Sequence, residues 1–395
     1  MTSQALFNIF LFSLIYFIIY VGDNLVMKSK IPRDNIHMNW RAIDGYNKAI
    51  NSFISCREPG KTDATWNEKI YNKWKIDKKP WGYLVRQVVE ITEAMILDIE
   101  ETINKWSPEP VEFKYNKGNF KDGMVDIKIG DELFIRIVAL SITLRRIKLA
   151  KIPNIGGIFF DEYIINPKSG EKYLPDEYFK LKELYTTWRR EYQGDGFLKI
   201  YVTGNPYSLF NPLFVGLGVD ISKLKKDSYE LIDGEYKLRH NIYVGHTYAI
   251  EWGVIHPLLR QQLLEKNPFY QFDEEYNQYA LEGTAINDRN IKLDKLPKNF
   301  YLEFVLRVQG KNIGIFKNNY VDDLQDNYFC KFLDEVSARR TIYCFDFDDM
   351  MDRTILMSIN ERGKLQRFKE SIRKRLVSFE DVNVYYYIEE VYKNI

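Results

Sequence analysis

The sequence predicts an α/β fold with a doubly wound, largely parallel sheet. Three short stretches predict it: INSFISCREPGKTD at 50–63, IPNIGGIFFDEY at 152–163 and LKIYVTGNPYS at 198–208. In each, an apolar run short enough for a buried strand ends in small or polar residues. Open sheets of this kind bind ligands just beyond the carboxyl ends of their strands, so the three polar ends are expected at one edge.

The first stretch has the P-loop spacing GxxxxGK[ST] from Ser55 to Thr62, with Ser55 where the pattern has its first glycine. The motif works because backbone N–H groups curl around the phosphates while the lysine reaches the β/γ oxygens and the hydroxyl holds Mg2+. Ile50, Phe53 and Ile54 supply the strand, and a helix starting near Asp63 aims its N-terminal dipole at the phosphates. Ser55 is expected to present its backbone N–H as the missing glycine would, and Gly60, Lys61 and Thr62 to bind phosphate and Mg2+. In the second stretch the strand Gly157–Phe160 delivers Asp161 and Glu162. As a Walker B pair, Asp161 holds Mg2+ and Glu162 polarises the attacking water. The third, Leu198 to Val202, carries Asn205 to the same edge, placed to sense the γ-phosphate or its water. Taken singly, an acidic pair after a core strand is a common helix cap and Thr-Gly-Asn-Pro an ordinary turn. All three in this order point to ATP and Mg2+ as cofactors.

The block 152–214, from IPNIGGIFFDEY to NPYSLFNPLF, resembles the catalytic core of the DNA-packaging (encapsidation) ATPases of small protein-primed podophages, relatives of the large terminase subunits. The likeness extends to the deviant, arginine-containing P-loop, to KPWGYLVRQ with Arg86, and more weakly to RFKESIRKRLVSFEDVNVYYYIEEVY near the C-terminus, so it spans 38–395 with a poorly matched middle. It implies an ASCE-type P-loop ATPase that drives double-stranded DNA into a procapsid as a homo-oligomeric ring, a pentamer, at the portal, with a scaffold RNA as a further candidate partner. The setting it implies is the cytoplasm of an infected bacterial host. By matching positions, Lys61 and Thr62 bind phosphate and Mg2+, Asp161 the metal, and Glu162 is the catalytic carboxylate. Arg189, after the helix YFKLKELYTTW, falls where the family has its trans-acting arginine finger, with Arg190 adjacent. Arg57 is a second sensor or a cis nucleotide contact.

Composition agrees with this. A chain of 395 residues, 45% apolar and 15% aromatic, suffices for two to three packed domains. A formal net charge of +1 excludes a globally basic surface, so any nucleic-acid contact rests on local patches. One is LRRIKLAK before the Walker B strand, where a loop lining a ring's channel is expected to touch DNA phosphates through Arg145, Arg146, Lys148 and Lys151. The other is a basic helix, Lys364 to Arg375. Cys56, Cys330 and Cys344 form no metal or disulfide pattern, and an odd count suits a reducing compartment. His37, His240, His246 and His256 are scattered and lack a cysteine or carboxylate partner nearby in sequence, so they are expected to be structural.

The expected domains are an ATPase domain over 38–220, a linker or lid subdomain over the polar stretch 221–297, and a mixed α/β domain over 298–395 that resembles a vestigial RNase H-like nuclease used for docking. In the last, Asp346, Asp348, Asp349 and Asp352 are expected to cap a helix and not to hold metals, and Glu303 stands without a central aspartate on its strand. The N-terminal 1–37 does not fit. Ala5 to Gly22 is almost wholly apolar and near the length that spans a bilayer. It reads as a misassigned start with translation from Met27 or Met38, as a membrane anchor, or as a segment buried in protein. A membrane anchor carries the alternative of a membrane-attached P-loop nucleotide switch. A docking adaptor with a dead P-loop is opposed by the intact Lys61, Thr62, Asp161 and Glu162.

Overall fold

The computed structural model describes residues 37–57, 59–166, 171–209, 211–272, 281, 293–319, 328–357, 365–374 and 376–394. The apolar segment Ala5 to Gly22 and Met27 lie outside the described residues, as do Lys364 and Arg375 of the basic helix. Among the described residues no helix is long and apolar enough to cross a membrane. The chain forms two compact units, 1–205 with 226–283, and 206–225 with 284–395.

The first unit is built on a nine-stranded sheet. In chain order its strands are β1 (Ile50–Ile54), β2 (Trp81–Val85), β3 (Phe113–Lys114), β4 (Met124–Ile129), β5 (Glu132–Ala139), β6 (Gly157–Phe160) and β7 (Ile200–Gly204). An isolated hairpin, β8 (Ser228–Ile232) with β9 (Glu235–Arg239), precedes the last two strands, β10 (Ile242–Val244) and β11 (Tyr248–Trp252). The order across the sheet is β10-β11-β1-β7-β6-β2-β5-β4-β3. The run from β11 to β5 is parallel, and β10 and β4 pair antiparallel at its flanks. Strands β6 and β7 are buried at every position, as continuous apolar runs in a sheet covered on both faces require.

Each covering helix has a sequence reason. Helix α1 runs over 61–77 and buries Trp66, Ile70 and Trp74, its middle turn Thr65–Tyr71 being wound as a π-helix. Helix α2 (Glu93–Asn104) starts at Thr92, whose hydroxyl accepts from the Met95 N–H at 3.1 Å, and buries Ile96, Ile99 and Ile103 at helical spacing. Helix α3 (Leu144–Leu149) is capped by Thr143. Helix α4 (Glu177–Arg189) buries Leu181, Leu184 and Trp188.

The stretch expected to be a linker or lid subdomain, 221–297, is divided between the two units. Tyr248–Trp252 forms β11 beside the P-loop strand, with Tyr248 opposite Ile50 and Trp252 opposite Ile54. Residues 206–225 belong instead with the C-terminal unit. The polar composition that suggested a linker comes largely from the exposed β8–β9 hairpin.

The second unit has a six-stranded sheet in the order β16-β15-β12-β13-β14-β17. Strands β12 (Phe300–Val308), β13 (Lys311–Asn318) and β14 (Tyr328–Phe332) form an antiparallel meander. Strands β15 (Ile342–Cys344) and β16 (Thr354–Leu356) add in parallel beside β12, and β17 (Val377–Phe379) adds in parallel beside β14. Helices α5 (Gln366–Arg373) and α6 (Val382–Asn394) supply Phe368, Val384 and Ile388 to its core. The acidic cluster does capping work: Asp346 accepts from the Asp348 N–H at 3.1 Å, and Asp349 accepts from the Gln309 and Gly310 N–H groups of the β12–β13 turn at 2.8 and 2.6 Å.

Packing in the first unit yields a direct test. Gly82 in β2 lies under the fully buried Trp188, and a Cβ added there would come within 2.3 Å of the indole. The indole N–H donates to the Ala150 carbonyl, so the ring has little freedom to withdraw. Gly82→Ala is therefore expected to destabilise the unit by about 1–3 kcal/mol, the ordinary cost of overpacking, seen as a lower urea midpoint; an unchanged midpoint contradicts the packing.

Candidate functional site

Three strand ends meet at the carboxyl edge of the parallel sheet. Strands β1, β7 and β6 lie side by side, with Ile54 opposite Gly204 and Phe160 opposite Val202, so 55–57 with 59–62, 161–163 and 203–205 emerge together. Gly60 adopts φ 73°, a left-handed conformation that favours glycine, and turns the loop into α1. Lys61, the first residue of the helix, is only 5% exposed. Its Nζ donates to the Cys56 carbonyl at 2.9 Å and to Asn205 Oδ1 at 2.7 Å. Burial pushes the Lys61 ammonium below its ordinary pKa, and the Asp161 charge opposes the shift.

The next residue reaches the acidic strand end. Thr62 Oγ1 donates to Asp161 Oδ2 at 2.8 Å, while the Thr203 hydroxyl and the Glu162 N–H, the latter at 2.9 Å, donate to Asp161 Oδ1. A hydroxyl and a carboxylate form the hard oxygen set that Mg2+ takes, so these residues fit the metal expected here. Glu162 has φ 50°, left-handed for a non-glycine residue, which swings it out of the strand line. It reaches solvent, yet desolvation in the cleft and then the Asp161 charge raise its carboxyl above the usual range.

Both neighbours of Glu162 are pinned. Asp161 is held as described. Tyr163 donates its N–H to the Thr203 carbonyl at 3.2 Å, its hydroxyl lies 3.0 Å from Ser52 Oγ in β1, and its carbonyl accepts from Arg86 Nη2 at 3.0 Å. Arg86 follows β2 and is buried, with Nε and Nη2 on the two oxygens of Glu177 at 2.8 and 3.2 Å. Sequence reasoning noted Arg86 but missed Glu177 and Thr203. Thr203 was signalled by a hydroxyl closing an apolar strand, whereas nothing in the letters paired Glu177 with a residue 91 positions away.

Two expected loop residues behave differently from one another. Ser55 is fully buried, and its N–H donates to the Gly204 carbonyl at 3.2 Å. It therefore extends the β1–β7 ladder, contrary to the expectation that it offers that N–H to phosphate. Arg57 is exposed, and its charge lowers the pKa of both Lys61 and Glu162.

Arg189 and the basic patch lie elsewhere. Arg189 ends α4, and two residues on the Glu191 carbonyl accepts from the Asn154 N–H at 3.1 Å, just ahead of the start of β6. This is the amino edge of the parallel strands, opposite the Lys61 edge. Arg189 is exposed there, with Nη2 on the Gly196 carbonyl at 3.3 Å and the guanidinium over Tyr192. The segment expected as a channel loop is helix α3 with Lys151 just beyond it, because the Thr143 cap starts a helical turn. Arg146 pairs with Asp122 at 3.1 Å, Lys148 with Glu183 at 3.1 Å and Lys151 with Glu191 at 3.6 Å. Arg145 is exposed and has no acidic partner among the described residues.

The histidine expectation is also corrected for one residue. His240 Nδ1 lies 2.6 Å from Glu251 Oε1 and 3.8 Å from Asp227 Oδ2. Its carboxylate partners are 13 residues upstream and 11 downstream, brought together by the β8–β9 and β10–β11 turns. Burial and the Glu251 carboxyl raise the pKa of Asp227, and the Glu251 hydrogen bond raises that of His240.

No protein-family model and no curated protein matches the chain. Solved structures do. A chain of the bacteriophage Phi-29 viral genome packaging motor assembly superposes with a TM-score of 0.61 at 16% identity, over 91% of this chain and 99% of that one. The Phi-28 gp11 DNA packaging motor gives 0.59 at 18% identity, over 88% and 95%. This chain has the fold of those phage packaging-motor chains across nearly its whole length.

The pinned carboxyl edge predicts how the Arg86–Glu177 pair responds to mutation. Arg86→Met leaves Glu177 buried without its cation and is expected to cost about 3–5 kcal/mol of stability. Arg86→Met with Glu177→Leu removes both charges and is expected to recover most of that loss in denaturant unfolding. A double variant as unstable as the single one contradicts the pairing.

Proposed function

We propose that this protein is a viral DNA-packaging ATPase, an ATP-driven translocase of double-stranded DNA that works as a homo-oligomeric ring at a procapsid portal. The observation that carries the reading is the convergence of Lys61, Thr62, Asp161, Thr203 and Asn205 at one strand edge, within a fold shared with phage packaging motors. Lys61 receives the β/γ-phosphates in place of its contacts to Cys56 and Asn205, supported by the loop N–H groups up to Gly60 and the start of α1. Thr62 and Asp161 hold Mg2+, which when bound neutralises charge on the transferring phosphoryl group. Glu162, aimed by its pinned neighbours and with a raised affinity for protons, orients and polarises the attacking water. Asn205, released by Lys61, senses the γ-phosphate, and Arg57 closes the mouth of the cleft.

Arg189 stands on the edge opposite its own phosphate site, so a catalytic role requires a neighbouring subunit's site, as a trans-acting finger does. A ring, for which the pentamer is the expected form, supplies that neighbour. The same edge carries α3, where Arg145 has no acidic partner among the described residues and the three exposed ion pairs of Arg146, Lys148 and Lys151 are weak enough to exchange for DNA phosphates. The meander of β12–β14 with parallel β15 and β16 beside its first strand supports the RNase H-like reading of the C-terminal unit, used for docking. The capping roles of Asp346 and Asp349 support the absence of nuclease chemistry. The portal, and a scaffold RNA, are the partners such docking would meet.

With linear duplex DNA present, Lys61→Ala and Glu162→Gln are each expected to lower ATP turnover by about 10²-fold or more, and Arg189→Ala by about 10³-fold or more. Mixing Lys61→Ala with Arg189→Ala subunits is expected to restore part of the activity, because mixed interfaces hold an intact cleft beside an intact arginine. Wild-type turnover by Glu162→Gln, or no recovery on mixing, overturns the respective assignment.

A further inference from the structure

We propose that Asp227, His240 and Glu251 form a binding site for a divalent cation of borderline softness, such as Zn2+, which fastens the root of the β8–β9 hairpin to the ATPase sheet. The three side chains come from separate pieces of chain. Asp227 immediately precedes β8 and His240 immediately follows β9, whose last cross-strand pair is Ser228 with Arg239. Glu251 is on β11, opposite Phe53 of the P-loop strand. The Asp227 N–H donates to the Trp252 carbonyl at 2.8 Å, which holds the hairpin root against that strand.

One donor atom from each residue lies within 4.8 Å of the others. First-row metal ligands sit about 2.0–2.2 Å from the ion, so the set closes on a cation with a small inward movement. Asp227 and Glu251 are 3% and 1% exposed, and Asp227 Oδ2 and Glu251 Oε2 have no hydrogen-bond partner. The other Asp227 oxygen accepts from the Asn241 N–H at 2.6 Å, which fixes the carboxylate in place. Two buried carboxylates side by side are costly unless a proton or a cation lies between them, and a metal ion would displace that proton. Among the described residues the cationic group that faces them is His240, itself a metal ligand by type.

The donor chemistry selects the ion. An imidazole nitrogen with two carboxylates suits Zn2+ or a similar first-row metal better than Mg2+ or Ca2+, which take all-oxygen sets. Three protein ligands leave a position for water, and the exposed flank of His240 gives it a path to solvent. The hairpin gives the site a purpose. Among the described residues strands β8 and β9 pair only with each other, and Leu231, Ile232, Tyr236 and Leu238 are exposed. A two-stranded hairpin is marginal alone, and a metal at its root ties both of its ends to the strand beside the P-loop.

The test is a calorimetric titration of nucleotide-free full-length protein, first dialysed against chelator, with ZnCl2, beside hydrogen exchange over 228–239. Wild-type protein is expected to take up one Zn2+ per chain and to slow exchange in the hairpin. Glu251→Gln is expected to bind more than about tenfold more weakly, since loss of an outer-shell partner alone costs about 10–100-fold. His240→Ala is expected to lose both the binding and the slowed exchange, with far-UV circular dichroism of the metal-free variant checking that the fold is kept. No saturable uptake by the wild-type protein, or uptake by His240→Ala as tight as wild type, overturns the proposal.

Discussion

The Lys61 ammonium, buried between the Cys56 carbonyl and Asn205 Oδ1, is the interaction on which the rest of the site depends. A cation at 5% exposure persists only because neutral oxygens and the nearby Asp161 and Glu162 charges face it. Each partner is delivered by a different strand end, so the side-by-side order of β1, β7 and β6 is a requirement of that one ammonium. Gly60, in the left-handed conformation, sets where the helix begins and so where the lysine stands. In the proposed ATPase the arrangement is held ready for an anion, since two neutral carbonyl-type oxygens are weaker partners for an ammonium than phosphate oxygens.

Around this centre the sheet separates tasks between its two edges. The carboxyl edge gathers Lys61, Thr62, Asp161 and Asn205, and the buried Arg86–Glu177 pair fixes the Tyr163 carbonyl one residue beyond Glu162. The amino edge carries α3 and the end of α4, joined by Lys148–Glu183 and Lys151–Glu191. Helix α4 starts in the Arg86–Glu177 pair and ends at Arg189, so one rigid helix connects the two edges. In the proposed motor, that helix is the shortest mechanical path from the pinned carboxylate strand to the surface offered to a neighbouring subunit.

Much of the first unit was legible because its signals are local. A P-loop spacing, an apolar strand ending in Asp161-Glu162 and another ending in Asn205 each carry their meaning within about a dozen residues. What escaped was non-local. Strand β11 sits in a polar neighbourhood and is defined by pairing with β1, roughly two hundred residues earlier. Arg86 and Glu177, and the Asp227–His240–Glu251 group, are likewise products of tertiary approach. Ser55 shows the opposite limit: the motif position was recognised, but a hydrogen bond to Gly204 across the sheet gives its N–H a different task. The basic patch was found by composition and read as a loop, whereas Thr143 caps a short helix there.

The central claim is that the Lys61–Asn205 contact is a phosphate site held in waiting, and equilibrium binding of ATP with Mg2+ tests it most directly. Calorimetry on the wild-type chain, Lys61→Ala and Asn205→Ala is expected to show saturable binding by the wild type and none by Lys61→Ala. Asn205→Ala is expected to keep binding, because its contact is the one that the nucleotide replaces. ATP binding by Lys61→Ala with wild-type affinity, or no binding by the wild type, would contradict the account.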